Sequence, residues 1–287
     1  MSERAGRAGE AMSDSQVSVG AALGYAWSLW RTHWRQIWGV LALNALACTV
    51  LCAGLFANNP LLMLAGMFGL VLTQYPVYGS MFRLAFASDH PGDERFGLAH
   101  HGLQWRRMEL KMLGAGALVF LFSAALTVLM GLVEVAGLGG LLYAHGVPIA
   151  HALKGDPFQA AGAEGVQLRS IGNSIMQLVL IFVWIRLSLA YPATADSDRV
   201  QVFRTWKLTR GRFWQLLIAT LVLELPSALI MVVGAGTGIA LDGHPAPLSP
   251  GETFIYSLIC GGWAGAAAIP LAAGVQAYFY RNSKTAG

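Results

Sequence analysis

Charged side chains are scarce in this sequence. Asp, Glu, Lys and Arg make up 12% of its 287 residues, whereas hydrophobic residues make up 55%. Soluble domains usually carry about twice this share of charge. Several apolar runs approach or exceed the ~20 residues that a helix needs to cross ~30 Å of hydrocarbon. The lack of charge therefore argues against a soluble globular protein and predicts an all-α, polytopic membrane protein.

Cysteine is also rare. Cys48 and Cys52 lie one helical turn apart in one apolar run, and Cys260 lies in another. This pattern excludes a disulfide framework and matches no zinc-binding spacing. We interpret all three cysteines as small apolar packing residues.

Enzyme motifs are missing as well. The chain contains no G-x-S-x-G, no H-E-x-x-H and no phosphate-binding G-x-x-x-x-G-K motif. The sequence therefore predicts a non-enzymatic protein without a cofactor. The polar connection at residues 88–104 holds potential metal ligands, namely Asp89, His90, Asp93, Glu94, His100 and His101. Their spacing matches no metal motif, so we predict a solvated loop without a metal, and a divalent cation site is the alternative.

The apolar runs predict six spans, paired as three helical hairpins. The spans are residues 37–55, 61–87, 112–132, 171–190, 213–235 and 254–280. A tight turn is expected at Ala57-Asn58-Asn59-Pro60, between the first two spans. The Gly-rich residues 133–170 are predicted to form the longest loop, with a short surface or re-entrant helix around residues 141–153.

The first 16 residues are polar and mixed in charge, and they lack the apolar core of a signal peptide. We predict a disordered cytoplasmic tail there and a single membrane domain over residues 17–287. Residues 19–35 have the pattern of an interfacial helix, with Trp on one face and Arg on the other. The alternative is that this segment begins a long first span, with its Trp residues as an aromatic belt.

Positive charge is distributed unevenly between the two sides of the predicted bundle. All but two of the 19 Lys and Arg residues fall on one side, and only Lys154 and Arg169 fall on the other. Because Lys and Arg favour the cytoplasmic side, we predict cytoplasmic termini and a bacterial inner (cytoplasmic) membrane. The basic pI reflects these charges beside the membrane and does not indicate nucleic-acid binding. The residues predicted to meet lipid at this interface are Trp27, Trp30, Arg31, Trp34, Arg35, Trp105, Arg106, Arg107, Trp206, Lys207, Arg210, Arg212 and Trp214.

Glu224 is the sharpest candidate inside a span. It lies about 10 residues into the fifth span, about 15 Å deep, where a carboxylate costs several kcal/mol unless it is protonated, hydrated or paired. Arg186 is predicted to reach it, and Gln74 and Gln276 complete a candidate intramembrane polar site. Two interpretations stay open: a structural ion pair or protonated glutamate, and a proton-relay or substrate-binding acid.

Asp196-Ser197-Asp198 is predicted to cap a helix that runs to about Arg210. The flanking motifs RLSLAYPA, from Arg186, and RTWKLTRGRFW, from Arg204, resemble the central signature of a bacterial membrane-domain family. That family is called the glycerophosphoryl diester phosphodiesterase membrane domain. The resemblance implies about six helices in an inner-membrane protein. Where the family usually carries a Glu after the Pro, this chain offers Asp196 or Asp198, and no phosphodiesterase domain is present.

These observations predict an integral membrane accessory or scaffold protein that contacts lipid headgroups, or a partner protein, through basic inner-face helices. One alternative is a small-molecule or lipid transporter that uses Glu224 and Arg186. A third is a lipid-modifying enzyme that uses the polar connections.

Overall fold

A computed structural model of the chain describes residues 17–148, 152, 155–237 and 249–284. Helices dominate, and no strand occurs among the described residues, so the predicted all-α class is confirmed. Within these described ranges, six helical segments are long and apolar enough to cross a membrane. The predicted N-terminal tail, residues 1–16, lies outside the described residues.

The longer helices are α1 (Val19–Phe56), α2 (Pro60–Phe86), α3 (Arg107–Ala144), α4 (Gly162–Leu187), α5 (Ala190–Ser197), α6 (Phe213–Thr237), α7 (Pro250–Trp263) and α8 (Ile269–Lys284). A π-helix, Ala264–Ala268, joins α7 to α8 without a break in the helical path. Short 3₁₀ turns lie at Glu94–Phe96 and His100–Gly102, and single α-helical turns lie at Pro157–Ala160 and Thr205–Leu208.

The described residues divide into two compact units. The large unit contains the chain up to Ala115 and from Ser188 onward, and the small unit runs from Gly116 to Leu187. Helix α3 contributes residues to both. The prediction of one membrane domain over residues 17–287 stays a prediction.

Helix α1 has 38 residues, which corresponds to a length of about 57 Å. Ser18 caps its start by accepting a hydrogen bond from the Ala21 amide at 3.1 Å. Residues 19–35 are therefore not a separate element but the beginning of a long first helix, as the alternative prediction had it. The buried face of this part carries Ala22, Ala26 and Leu29, whereas Trp27 and Trp34 are exposed.

The predicted loop at residues 133–170 is wrong over most of its described length. Helix α3 continues to Ala144 and α4 begins at Gly162. The glycines here misled the sequence prediction, because each costs only about 1 kcal/mol in a helix. In apolar surroundings the backbone has no other hydrogen-bond partner than itself. Part of the predicted short helix at 141–153 is the end of α3, and residues 149–151 and 153–154 lie outside the described residues.

The predicted helix from Asp196 to Arg210 is also wrong. Asp196 lies in the last turn of α5, and Asp198 ends that helix in the left-handed conformation, with φ of 54°. Aspartate tolerates this conformation better than most residues. Only the single turn Thr205–Leu208 is helical in the following segment. The carboxylates bind basic side chains from elsewhere in the chain and do not cap backbone amides.

Small residues allow α7, the π-helix and α8 to pack closely against α1. A Cβ atom at Gly261 would lie closer than 3.0 Å to Thr49, and one at Gly265 closer than 3.0 Å to Ala45. Gly261 and Gly265 are four residues apart, the spacing of the small-xxx-small motif of membrane helices. The helix axes therefore approach to a distance that larger side chains would prevent.

Backbone carbonyl groups of the π-helix accept hydrogen bonds from side chains of α1. Asn44 donates to the Gly265 carbonyl at 2.9 Å, and Trp30 Nε1 donates to the Ala266 carbonyl at 3.0 Å. Thr73 of α2 donates to Asn44 Oδ1 at 2.8 Å. This network joins α1, α2 and the π-helix in the interior. The three cysteines are free and buried, as predicted.

The small unit is held together by contacts between the later part of α3 and α4. Trp184 Nε1 donates to Ser123 Oγ at 3.2 Å. Gly137 of α3 packs against Leu168 of α4. Near the connection, an apolar cluster is formed by Leu138, Leu142, Ala152 and Ala161.

Candidate functional site

A buried ion pair joins the end of α2 to the first turn of α3. Arg83 binds the Glu109 carboxylate through both terminal nitrogens, with Nη2 at 3.0 Å from Oε2, and both side chains have 0% exposure. Arg83 Nε also donates to the Arg95 carbonyl at 2.9 Å, and the Arg106 amide donates to Glu109 Oε2 at 2.9 Å. The pair therefore fixes the polar connection between α2 and α3.

Gly79 makes room for this pair. It lies one helical turn before Arg83, and a Cβ atom there would overlap the Glu109 carboxylate. A larger residue at this position would displace the carboxylate from its partner.

Further ion pairs fasten the same end of the large unit. Asp89 accepts from Arg281 at 2.5 Å, and Lys111 Nζ lies 2.6 Å from Asp198 Oδ1. The hydrogen bond from Lys111 is the main reason that the pKa of Asp198 lies below its ordinary value. In the same way, hydrogen bonds from Arg95 lower the pKa of Asp93.

Asp196 connects α5 to two further segments of the chain. His90 Nε2 lies 2.8 Å from Asp196 Oδ1, while Tyr280 and Lys284 of α8 donate to Oδ2 at 2.8 and 2.9 Å. The Asp196 side chain is only 8% exposed. The His90 ring stacks on Phe96, with ring centres 5.0 Å apart. Asp196 therefore holds the end of α8 against the loop after α2.

Described residues at this end of the large unit line two clefts. The first, which we call the Asp196 cleft, has a volume of about 500 Å³ and is lined by His90, Asp196, Ser197, Gln201, Arg204, Lys207, Leu208, Tyr280, Ser283 and Lys284. The second has a volume of about 300 Å³ and is lined by Arg83, Glu94, Arg95, Arg106, Arg107, Met108, Ala195 and Asp198. Cations outnumber carboxylates in both, so each cleft suits an anion.

The predicted interface residues are placed as follows. Arg106 and Arg107 line the second cleft, and Lys207 lines the Asp196 cleft. Arg212 donates to Ser283 at 3.0 Å, and Trp105 donates to the Leu72 carbonyl at 3.2 Å. The side chains of the remaining members, apart from half-buried Trp30, are exposed: Trp27, Arg31, Trp34, Arg35, Trp206, Arg210 and Trp214. Their contact with lipid stays a prediction.

Three of the four residues of the predicted intramembrane site lie around one tyrosine. The Tyr78 hydroxyl is next to the amides of Gln74 and Gln276 and within electrostatic range of the Glu224 carboxylate. Arg186 belongs to the small unit, where its guanidinium lies over the Phe182 ring at 5.3 Å. The pairing of Arg186 with Glu224 stays a prediction.

Three of the potential metal ligands of residues 88–104, Asp89, His90 and Asp93, have other partners. Asp89 and His90 bind Arg281 and Asp196, and the His100 and His101 rings contact each other at 3.6 Å. Within the described ranges, no group of three or more His, Cys, Asp or Glu side chains is arranged to hold a metal ion.

Sequence reasoning did not find the Arg83–Glu109 pair or the partners of Asp196. Arg83 and Glu109 are 26 positions apart, and Asp196 is 88 positions from Lys284. The four-residue spacing of Tyr280 and Lys284, which puts both on one helix face, was an available signal. Their shared partner was not, because it depends on how the helices pack.

Comparison of the chain with protein-family models, with curated proteins and with solved structures found no match. The resemblance to the phosphodiesterase membrane domain stays a prediction.

Proposed function

We propose that the chain is a six-span protein of a bacterial inner membrane and serves there as a non-enzymatic accessory or scaffold protein. Its basic end, with the two clefts, faces the cytoplasm and binds anionic lipid headgroups. The spans form three hairpins, as the order of the helices suggests. The similarity to the glycerophosphoryl diester phosphodiesterase membrane domain is part of this proposal.

Exposed apolar side chains support the membrane location. Leu61, Phe68 and Phe120 are 76%, 66% and 68% exposed on helices long enough to cross a bilayer. Many such side chains on one surface would be costly in water, since the transfer of apolar area from water is favourable. They are the expected lining of a lipid-facing surface.

The observation that carries the headgroup function is the collection of unneutralised cations at one end. Arg106 and Arg107 come from the start of α3, and Arg204 and Lys207 come from the segment after α5. Among the described residues none of these four side chains forms an ion pair. Each Lys or Arg near an anionic leaflet contributes about 1 kcal/mol of attraction.

The test compares the purified chain in nanodiscs of phosphatidylcholine with the same protein in discs that also contain phosphatidylglycerol. We expect a higher unfolding temperature in the discs that contain phosphatidylglycerol, and we expect this lipid to stay bound after delipidation. High salt is expected to weaken both effects, because it screens exposed charges. Equal unfolding temperatures and no preferential retention of the anionic lipid would refute headgroup binding.

A transport function is the second candidate, and the group around Tyr78 favours it. Gln74, Gln276 and Glu224 are polar side chains on three different predicted spans, and such residues often mark ion or substrate paths. Proton uptake into proteoliposomes, followed with a pH-sensitive dye, tests it. Proton uptake by the unmodified protein that is lost in Glu224→Gln would favour transport. If the unmodified protein takes up no protons, a proton-relay role is refuted.

A further inference from the structure

The Asp196 cleft has a floor that is built from buried polar groups. The Asp196 side chain is 8% exposed and the whole Tyr280 residue is 7% exposed, and the hydrogen bond between them is 2.8 Å long. Both carboxylate oxygens are in use, because Oδ1 faces His90 and Oδ2 accepts from Tyr280 and Lys284. Asp196 therefore orders the wall of the cleft and has no free oxygen for a cation.

The rim of the cleft is positive. Arg204, Lys207 and Lys284 line it, and among the described lining residues Asp196 is the one carboxylate. Lys284 compensates Asp196, while Arg204 and Lys207 form no ion pair within the described part of the chain. Apart from His90, the described lining residues carry two more positive than negative charges, so the cleft suits an anion.

An arginine and a lysine side chain together are suited to bind a phosphate group. An Arg guanidinium binds two oxygens of a phosphate group at once, and a Lys ammonium adds a mobile point charge. The Gln201 side-chain amide also lines the cleft and forms no hydrogen bond among the described residues, so it offers a neutral donor. A volume of about 500 Å³ lies within the range of small-molecule sites and admits a phosphate with a small polar group attached.

We propose that the Asp196 cleft binds the phosphate group of a phosphate ester through Arg204 and Lys207. The ester is either the headgroup of an anionic phospholipid or a soluble phosphate ester. If the ester is a lipid headgroup, the proposal rests on the headgroup function proposed above and assigns that function to one site. The second cleft and the exposed Arg residues of α1 then contribute attraction without a defined position for the phosphate.

The experiment uses the full chain in phosphatidylcholine nanodiscs. One arm adds phosphatidylglycerol to the discs, and the other titrates glycerol 3-phosphate and inorganic phosphate by calorimetry. The variant R204Q/K207Q is expected to lose affinity at least tenfold in the arm that shows binding. The control R31Q/R35Q removes the same charge from exposed residues of α1 and is expected to lose less affinity than R204Q/K207Q, because these residues contribute attraction without positioning the phosphate. Unfolding temperatures establish that both variants are folded. If R204Q/K207Q does not fold, the single variant K207Q replaces it.

The outcomes separate the two proposals. Binding of the lipid alone identifies a headgroup ligand, and binding of glycerol 3-phosphate alone identifies a soluble ester and refutes the headgroup function. An equal loss in R204Q/K207Q and R31Q/R35Q, or no loss in either, overturns the cleft while headgroup attraction survives. No binding by the unmodified protein in either arm overturns both.

Discussion

The Arg83–Glu109 pair shows how a single residue can decide stability in this chain. Neither side chain touches solvent, and the Glu109 carboxylate accepts from Arg83 and from the Arg106 amide. An intact buried ion pair gains little over an apolar pair of the same shape, because desolvation offsets the attraction. A broken pair, in contrast, leaves one charge buried without compensation.

We therefore expect Glu109→Gln to lower the free energy of unfolding by about 3–5 kcal/mol. Unfolding in mixed detergent, followed by tryptophan fluorescence, measures it. Glu94→Gln is the matched control, because Glu94 is exposed and forms no ion pair among the described residues. Equal stability of the two variants would show that the burial of Glu109 is not what stabilises this connection.

The Lys111–Asp198 pair gives a pH dependence with a defined sign. The pKa of Asp198 is lowered in the folded chain, chiefly by the hydrogen bond from Lys111. A lowered pKa stabilises the fold above the ordinary aspartate value of about 3.9, and this contribution is lost as the pH falls through the folded-state pKa.

Asp198→Asn is therefore expected to lower the unfolding temperature at pH 7 and to approach the unmodified protein in strong acid. Asparagine also accepts the left-handed backbone of this position, so the substitution adds no strain. Thermal unfolding at a series of pH values from 7 to below 3 makes the comparison. A difference that does not change with pH would contradict the assignment.

At the scale of elements, the glycines of α7 and the π-helix set the distance to α1. A Cβ atom at Gly261 would lie closer than 3.0 Å to the α1 backbone, whereas one at Gly262 meets nothing within 4 Å. The two adjacent positions thus differ in packing but share the same local helix.

We expect Gly261→Ala to separate α7 from α1 and lower the unfolding temperature. Gly262→Ala is expected to be neutral or stabilising by up to about 1 kcal/mol, because Ala favours the helix. Size-exclusion profiles after stepwise heating in detergent compare the two. Equal behaviour would show that α7 and α1 do not need this close approach.

The sequence predicted the elements best where the signal was local. The turn before α2 is one example: Asn59 Oδ1 accepts from the Leu61 amide at 3.0 Å, and Pro60 follows as the first helical residue. The predicted loop between α3 and α4 failed because glycine was taken as a breaker in an apolar run. The helix after Asp198 failed because its carboxylates bind basic partners that are distant in sequence.

At the scale of the whole molecule, the predicted orientation follows from the distribution of Lys and Arg. We expect Ala87→Cys to face the cytoplasm and Ala163→Cys to face the periplasm. Both positions are exposed, and the three native cysteines are buried. In intact spheroplasts, a membrane-impermeant maleimide is expected to label Ala163→Cys alone. Labelling of Ala87→Cys without permeabilisation would reverse the orientation.

The candidate site was predictable only in part. The excess of Arg and Lys at one end follows from composition and the positions of the spans, and it led to Arg106, Arg107 and Lys207. The cleft itself depends on Tyr280 and Lys284 meeting Asp196 from a helix that is distant in sequence. No local pattern carries that information, because it is fixed by the packing of α8 against the rest of the large unit.

The π-helix between α7 and α8 affects which single-codon deletions the fold can tolerate. Its wider turn takes up residues that an α-helix would place one step further around the axis. Loss of one codon within Ala264–Ala268 would let this turn become α-helical and leave α8 close to its orientation, whereas loss of one codon within α8 before Tyr280 would rotate Tyr280 and Lys284 by about 100° away from Asp196. The π-helix is therefore a segment in which the chain can lose an amino acid and still form the distant cleft, and the part of α8 before Tyr280 is not.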